Sequence, residues 1–322
     1  MRAVQVVGQR FHEEGLTTKL FGPENLPAQG DYLTYIDAIY NNPLASTLLG
    51  IYAIHNYDPT GTKQGNTTSQ NWADILTAAR QFPTPPGMGT PGTGNGGAGI
   101  PVWMTETSGY NPDWSDAMTL ATHINRGLVF GNMSAWVWYT LESGGTEYGL
   151  MNNLTPSNPT LPTYHASRHF YKYIRPGAVR INFTNPDTNI VGSAFLNTDK
   201  TYAIELINTN TTATITVQVT GSSDLKSFRA IQSSHGAYSQ EIDTLINNTV
   251  VLPPNSVTTL WGGKSLPVQT DVAPPTAVAP EKLIVYPNPA SDILYVGFPE
   301  NSKEISIYDI SGRELLNKQI TT

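Results

Sequence analysis

No cysteine occurs among the 322 residues, which excludes disulfides, thiolate nucleophiles and Cys-ligated zinc or iron–sulfur sites together. Charge is scarce as well: 13% of the residues are Asp, Glu, Lys or Arg, about half the usual share of roughly 25%. With 18 Lys and Arg against 25 Asp and Glu, a net charge of −7 and no basic run, the chain lacks the electrostatic footprint of a nucleic-acid binder. No apolar run approaches the ~18 residues that a membrane span requires. The first ten residues have neither the apolar stretch nor the small-residue cleavage site of a signal peptide, and read as the inside of a fold. The histidines, His12, His55, His123, His165, His169 and His235, stand apart from carboxylates at ligand spacing. His165 and His169 share one helical face, but the Glu that a zinc-protease helix carries after its first His is missing. Neither a metal nor a cofactor is expected. What the chain does have is 39% hydrophobic and 10% aromatic residues, enough to bury sizeable cores.

Apolar periodicity divides the chain. Val4, Val7 and Phe11 recur at helical spacing, with Gly15 at a C-cap position. Expected strands at 18–24, 48–55, 100–106 and 134–141 alternate with expected helices at 32–40, 72–80, 115–130 and 164–174. Strands that are apolar throughout, each followed by a helix, imply a parallel sheet buried on both faces. Four such units make half of a (β/α)8 TIM barrel, whose full set takes roughly 250 residues. After Gly177 the pattern changes to period two, with expected strands at 178–184, 190–196, 201–207, 213–219, 227–232 and 256–261 between Asn, Thr, Gly and Ser turns; this reads as a β-sandwich. The expected fold class is therefore α/β plus all-β: the C-terminal half of a TIM barrel over residues 1–176 (strands five to eight), a β-sandwich side domain over 177–262, a Pro-rich linker over 263–281 and a small partial β-sandwich over 282–322.

In a barrel the chemistry gathers at the C-terminal ends of the strands. Glu106 ends one of them in the run Val102-Trp103-Met104-Thr105-Glu106-Thr107-Ser108, and a carboxylate beside an aromatic platform suits attack on a sugar carbon. The competing reading makes Glu106 a helix-capping or surface residue. His55 and Tyr57 close the preceding strand, where an imidazole or a phenol could hydrogen-bond Glu106 and hold it ionised. Trp136 and Trp138 close the last strand; alternation buries Trp136 and leaves Trp138 as a floor for a sugar ring. Glu24, at the end of the first strand, is either a cleft contact or a carboxylate bonded to loop backbone.

Taken in order, Phe21-Gly22-Pro23-Glu24, His55-Asn56-Tyr57, Trp103 to Ser108, Ala135 to Trp138 and Tyr171-Lys172-Tyr173-Ile174-Arg175-Pro176-Gly177-Ala178-Val179-Arg180 resemble glycoside hydrolase family 30. The resemblance covers residues 1 to about 262 and is most specific at the Ile-Arg-Pro-Gly junction. It implies retaining hydrolysis, in which one carboxylate attacks the anomeric carbon and a second, about 5 Å away, protonates the leaving oxygen. By place in the motif Glu106 is then the nucleophile, Tyr57 its hydrogen-bond partner, and His55, Trp103, Trp138 and Glu24 substrate-binding residues. The family's acid/base glutamate follows an Asn, and no Asn-Glu dipeptide occurs in these 322 residues. The expectation is a fragment lacking that acid, with little turnover alone. The loop at 142–148 holds no Arg or Lys to clamp an acidic xylan branch, which favours a neutral glucan, galactan or xylan. The Gly- and Pro-rich stretch at 83–99 reads as a surface insertion or a cleft border.

The segment from Leu283 to Asp292, with Tyr286-Pro287-Asn288-Pro289, and that from Ile305 to Arg313, with Asp309 and Gly312-Arg313, resemble the C-terminal sorting domain of the type IX secretion system. That likeness implies export to the surface or surroundings of a Bacteroidetes-type bacterium, with a polysaccharide and the secretion machinery as partners. The alternative function is a non-catalytic carbohydrate-binding or adhesion protein. A hydrolase of another family in the same barrel clan is a third reading.

Overall fold

The computed structural model describes residues 2–27, 32–83, 99–143, 147–151, 161–221, 228–242, 245–263, 284–286, 295–297, 304–308 and 314–319. Two compact units are present, Met1–Ser265 and Leu266–Thr322.

The first unit opens with helix α1 (Arg2–Glu13), strand β1 (Leu20–Asn25), helix α2 (Thr34–Tyr40), helix α3 (Pro43–Leu48) and strand β2 (Leu49–His55). Helix α4 (Ser69–Gln81), strand β3 (Val102–Glu106), helix α5 (Trp114–Phe130), strand β4 (Ala135–Trp136) and helix α6 (Pro162–Tyr173) follow. The strands form one parallel sheet in the order β1-β2-β3-β4. Its two faces differ in chemistry. Tyr52, Ile54, Val102 and Met104 pack with Trp72, Ile75, Leu120, Ile124 and Phe170 from the helices into one buried cluster. The opposite face carries Phe21 paired with Ile51, and Pro23, Ala53, Trp103 and Ala135 in register; Phe21 stays 55% exposed. This is the layout of a barrel half with its helices outside and its inner wall open.

The expected strand at 134–141 is much shorter, and hydrogen bonding explains why. Ser134 and Val137 donate backbone N–H groups to Val102 and Met104, but Thr140 donates to Tyr148 and Leu150 back to Thr140. The chain thus leaves the sheet for a loop pairing immediately after Trp138. Helix α3 was not expected; its signal is Asn42, whose side chain accepts from Ala45 N at 2.9 Å, followed by Pro43 at the first helical turn.

Helix α4 begins on a reciprocal cap: Thr68 Oγ1 accepts from Asn71 N at 3.1 Å, and Asn71 Oδ1 accepts from Thr68 N at 3.1 Å. Two of the helix's orphan donors are thereby satisfied. Replacing Thr68 by Ala is expected to destabilise the fold by about 1 kcal/mol, read from urea unfolding midpoints; no change would mean that the cap is compensated by solvent.

The sandwich comprises β5 (Val179–Ile181), β6 (Ile190–Leu196), β7 (Tyr202–Asn208), β8 (Ile215–Gln218), β9 (Phe228–Ser234), β10 (Ala237–Ile242), β11 (Thr249–Leu252) and β12 (Ser256–Gly262). Six strands form an antiparallel sheet in the order β10-β9-β12-β7-β6-β5, faced by the pair β11-β8. Strands β10 and β11 were not anticipated, since β10 is mostly polar and β11 is only four residues long. One face of β7 and β12 supplies Ile204, Leu206 and Leu260 to the sandwich core. The other supplies Ile207 and Val257 to the core of the parallel sheet's helices, so the two layers share buried surface.

The second unit contains the antiparallel pairs β13 (Ile284–Tyr286) with β14 (Tyr295–Gly297) and β15 (Glu304–Tyr308) with β16 (Glu314–Gln319). The segments 84–98 and 264–283, which hold most of the expected insertion and linker, lie outside the described residues.

Candidate active site

Parallel strands present their C-terminal ends on one edge, and β1, β2 and β3 each deliver a polar side chain there. Glu24 precedes the last residue of β1, His55 ends β2 and Glu106 ends β3. A register irregularity between Ile54 and His55 pairs His55 directly with Glu106. The imidazole stands between the two carboxylates: His55 Nε2 touches Glu24 Oε2 and lies 3.9 Å from Glu106 Oε2. Thr105 Oγ1 is 2.9 Å from Glu24 Oε1 and 3.0 Å from the Ile54 carbonyl oxygen. Glu24 itself adopts a left-handed backbone, φ 69°, uncommon for a non-glycine residue and of the kind that clusters at functional sites.

Tyr57 lies just beyond β2, where Asn56 fixes the turn. Asn56 is buried, accepts from Thr67 Oγ1 on its side chain at 2.7 Å, and accepts from Thr107 Oγ1 on its carbonyl at 2.9 Å. So held, Tyr57 donates its hydroxyl to Glu106 Oε1 at 3.0 Å, with Ser108 Oγ 3.2 Å away. Burial, reinforced by the Glu106 charge, pushes the Tyr57 hydroxyl well above its ordinary pKa. It therefore remains a neutral donor across the working pH range and orients Glu106 without competing for its proton. A third of the Glu106 side chain remains exposed, which leaves an oxygen accessible to a substrate.

Trp138 sits beside Tyr110, ring centroids 5.4 Å apart, and donates its indole N–H to the Tyr148 carbonyl at 2.9 Å. Its plane is thus fixed by contacts from two loops. Trp136 is buried against Trp72, centroids 6.4 Å apart. Trp103 is directed differently from the other candidates. Its ring lies on the open inner wall 6.5 Å from Phe21, with its N–H on Ser134 Oγ at 3.1 Å. The sheet brings Glu24, His55, Tyr57 and Glu106 into one network and places Trp103 lower on the wall.

Thr105, Ser108, Tyr110 and the ion pair of Lys63 with Glu147, 2.8 Å, were not singled out from sequence. Thr105 was detectable in principle, since it shares a face with Trp103 one step from Glu106; Lys63 and Glu147 are 84 residues apart and carry no shared local signal. Among the described residues no cluster of three or more His, Asp or Glu side chains could hold a metal ion, and no helix is long and apolar enough to cross a membrane.

Residues 177–260 match the glycosyl hydrolase family 30 beta sandwich domain, and residues 284–322 match the secretion system C-terminal sorting domain. Over 213 residues the chain is 28% identical to glucuronoxylanase XynC of Bacillus subtilis strain 168, an alignment covering 63% of this chain and 42% of that relative. The chain therefore spans less than half the length of the curated relative it matches. The GH30 endoxylanase of Clostridium papyrosolvens C71 superposes with a TM-score of 0.58 at 21% identity, covering 78% of this chain and 57% of that one. The catalytic domain of GH30 xylanase C from Talaromyces cellulolyticus gives 0.59 at 20%, covering 80% and 55%. These likenesses establish the fold. From its parallel sheet through its sandwich the chain is similar to glycoside hydrolase family 30 proteins, with a family match over the sandwich, residues 177–260, and residues 284–322 match a secretion system C-terminal sorting domain.

Proposed function

We propose that this chain is the nucleophile-bearing part of a retaining glycoside hydrolase acting on a neutral, β-linked, xylan-type polysaccharide. The observation that carries the reading is Glu106 at the end of β3, fixed by the Tyr57 hydroxyl at 3.0 Å. In such a reaction the Glu106 carboxylate forms a bond to the anomeric carbon as the glycosidic C–O bond breaks, and the departing oxygen takes a proton from a second carboxyl group. Water later cleaves the glycosyl ester and frees Glu106. Trp138 is the platform for the sugar ring, His55 and Glu24 are polar contacts in the cleft, and Trp103 lines the wall below them.

Glu24 is engaged by His55 and Thr105, which suits a fixed contact in the cleft. The Asn-Glu pair expected of the family's acid has no counterpart in the sequence, so unactivated glycosides are expected to turn over weakly with this chain alone. The neutral substrate follows from charge: Lys63, beside the 142–148 loop, is already paired with Glu147, and that loop brings no Arg or Lys. The match of residues 284–322 to a sorting domain supports export through a type IX system to the surface or surroundings of a Bacteroidetes-type bacterium.

A 2-deoxy-2-fluoro xylobioside with a dinitrophenolate leaving group tests the reading, because that phenolate departs without a proton. Intact mass should rise by one 2-deoxy-2-fluoro-xylobiosyl group as dinitrophenolate leaves, and peptide mapping should place it on Glu106; labelling elsewhere, or none, overturns the assignment. Tyr57→Phe should slow the labelling by about 10- to 100-fold, the range set by losing one hydrogen bond to a charged group, with no loss of folded protein by circular dichroism.

A further inference from the structure

At the opposite end of the parallel sheet from Glu106 lies a cavity of about 530 Å³, within the range of small-molecule sites, roughly 300–1,000 Å³. It is bounded by the residues leading into β3 and β4, by α4, α5 and α6, and by the start of the sandwich. Most of its wall is apolar, including Leu128, Trp136, Phe170 and Phe195. Two features break that character. Arg80, Arg175 and Arg180 all line it, and burial, then the Arg80 charge, lowers the Arg180 pKa. In addition, Arg180 Nε and Trp136 Nε1 are buried donors without a hydrogen-bond partner among the described residues.

A guanidinium with a buried N–H costs free energy until an anion or another acceptor meets it. Among the described residues no acidic side chain lines the cavity. Trp136 is 8% exposed, and its indole N–H adds a neutral donor to the arginines of the wall. We propose that this cavity binds an amphipathic monocarboxylate, its carboxylate held by Arg180 and Arg80 and its apolar body packed among Leu128, Trp136, Phe170 and Phe195. The planar guanidinium fork matches a carboxylate bidentately. The apolar wall favours a ligand that brings an apolar body of its own over a small inorganic anion. The site is independent of the proposed hydrolysis, because the strands separate it from Glu106.

Titration calorimetry of the full chain with 3-phenylpropanoate, 3-phenylpropanol and inorganic phosphate tests the proposal. The acid should bind saturably at one site, and the alcohol, which keeps the body and loses the charge, at least about tenfold more weakly, as expected for a lost charge-assisted bond. Arg180→Gln should weaken the acid by at least about tenfold. Arg80→Gln, an exposed change with little risk to folding, should weaken it by about two- to fivefold. Equal binding of acid and alcohol, tighter binding of phosphate, unchanged affinity in Arg80→Gln, or no saturable binding would each overturn it.

Discussion

Glu106→Gln is expected to abolish reaction with dinitrophenyl β-xylobioside, lowering the second-order rate by at least about 10³-fold, since the amide cannot form the glycosyl ester on which the retaining route depends. Tyr57 would still meet the side chain, so the loss reports on chemistry and not on misplacement. Glu106→Ala sharpens the test. Removing the carboxylate leaves room on its face of the sugar, where azide can attack the anomeric carbon and leave an α-glycosyl azide, recovering turnover. Release of dinitrophenolate by Glu106→Gln at the wild-type rate would refute the nucleophile assignment. No release above the uncatalysed rate by the wild type itself, with the fold intact, would move the reading toward a carbohydrate-binding protein.

The second large effect concerns stability against pH. Glu205 on β7 is fully buried against α6, accepts from Thr259 Oγ1 at 2.6 Å and leaves Oε1 without a partner among the described residues. Burial raises its pKa well above the ordinary 4.5. The same Thr259 hydroxyl is 2.8 Å from His169 Nδ1, and His169 Nε2 is 2.9 Å from Ser233 Oγ. Burial, then the charges of Arg168 and His165, lower His169 to about 3; burial, then Arg126, lower His123 to about 4. The signs are opposed. Above pH 4.5 the folded chain holds a proton on Glu205 that the unfolded chain has lost, so stability falls as pH rises toward the folded pKa. Below pH 6.5 the unfolded chain protonates both histidines and the folded chain does not, so stability falls as pH drops.

The two effects oppose each other, so urea unfolding should find stability lost on the acid side through the histidines and, from pH 4.5 up to the raised Glu205 pKa, eroded from the alkaline side through Glu205. Glu205→Gln keeps the shape and removes the ionisation. Its stability relative to the wild type should grow steadily as pH rises from 4.5, and its alkaline limb should flatten. A constant difference between pH 5 and pH 8.5 would mean that Glu205 is ionised in the fold.

Much of the α/β unit was legible in the sequence because parallel strands covered on both faces are written as continuous apolar runs. The run from Leu49 to Ile54 is short and apolar throughout, as a strand covered on both faces must be. The identity of the Glu106 strand end followed from the same logic. The length of β4 did not, because the pairing of Thr140 with Tyr148 is a choice between two partners that local sequence cannot rank. Strands β10 and β11 were missed since each is stabilised by a neighbour, β9 or β8, and not by its own alternation. Glu205 was passed over for a related reason: within a β-strand its carboxyl reads as an outward polar residue, and only the packing of α6 onto the sandwich turns that face inward.

Composition and periodicity by themselves determined that this chain pairs a parallel α/β unit with a β-sandwich, that it carries no thiol chemistry, and that its carboxylates sit at strand ends. These depend on patterns of a few residues and on hydrophobic burial, which acts locally along each element. Tertiary structure alone decided that His55 stands between Glu24 and Glu106, that Lys63 is taken up by Glu147, and that Arg80 and Arg180 share an apolar cavity. Electrostatic contacts of that kind depend on distance in space, and residues 31 or 84 positions apart acquire one only when the sheet brings their strand ends and loops together.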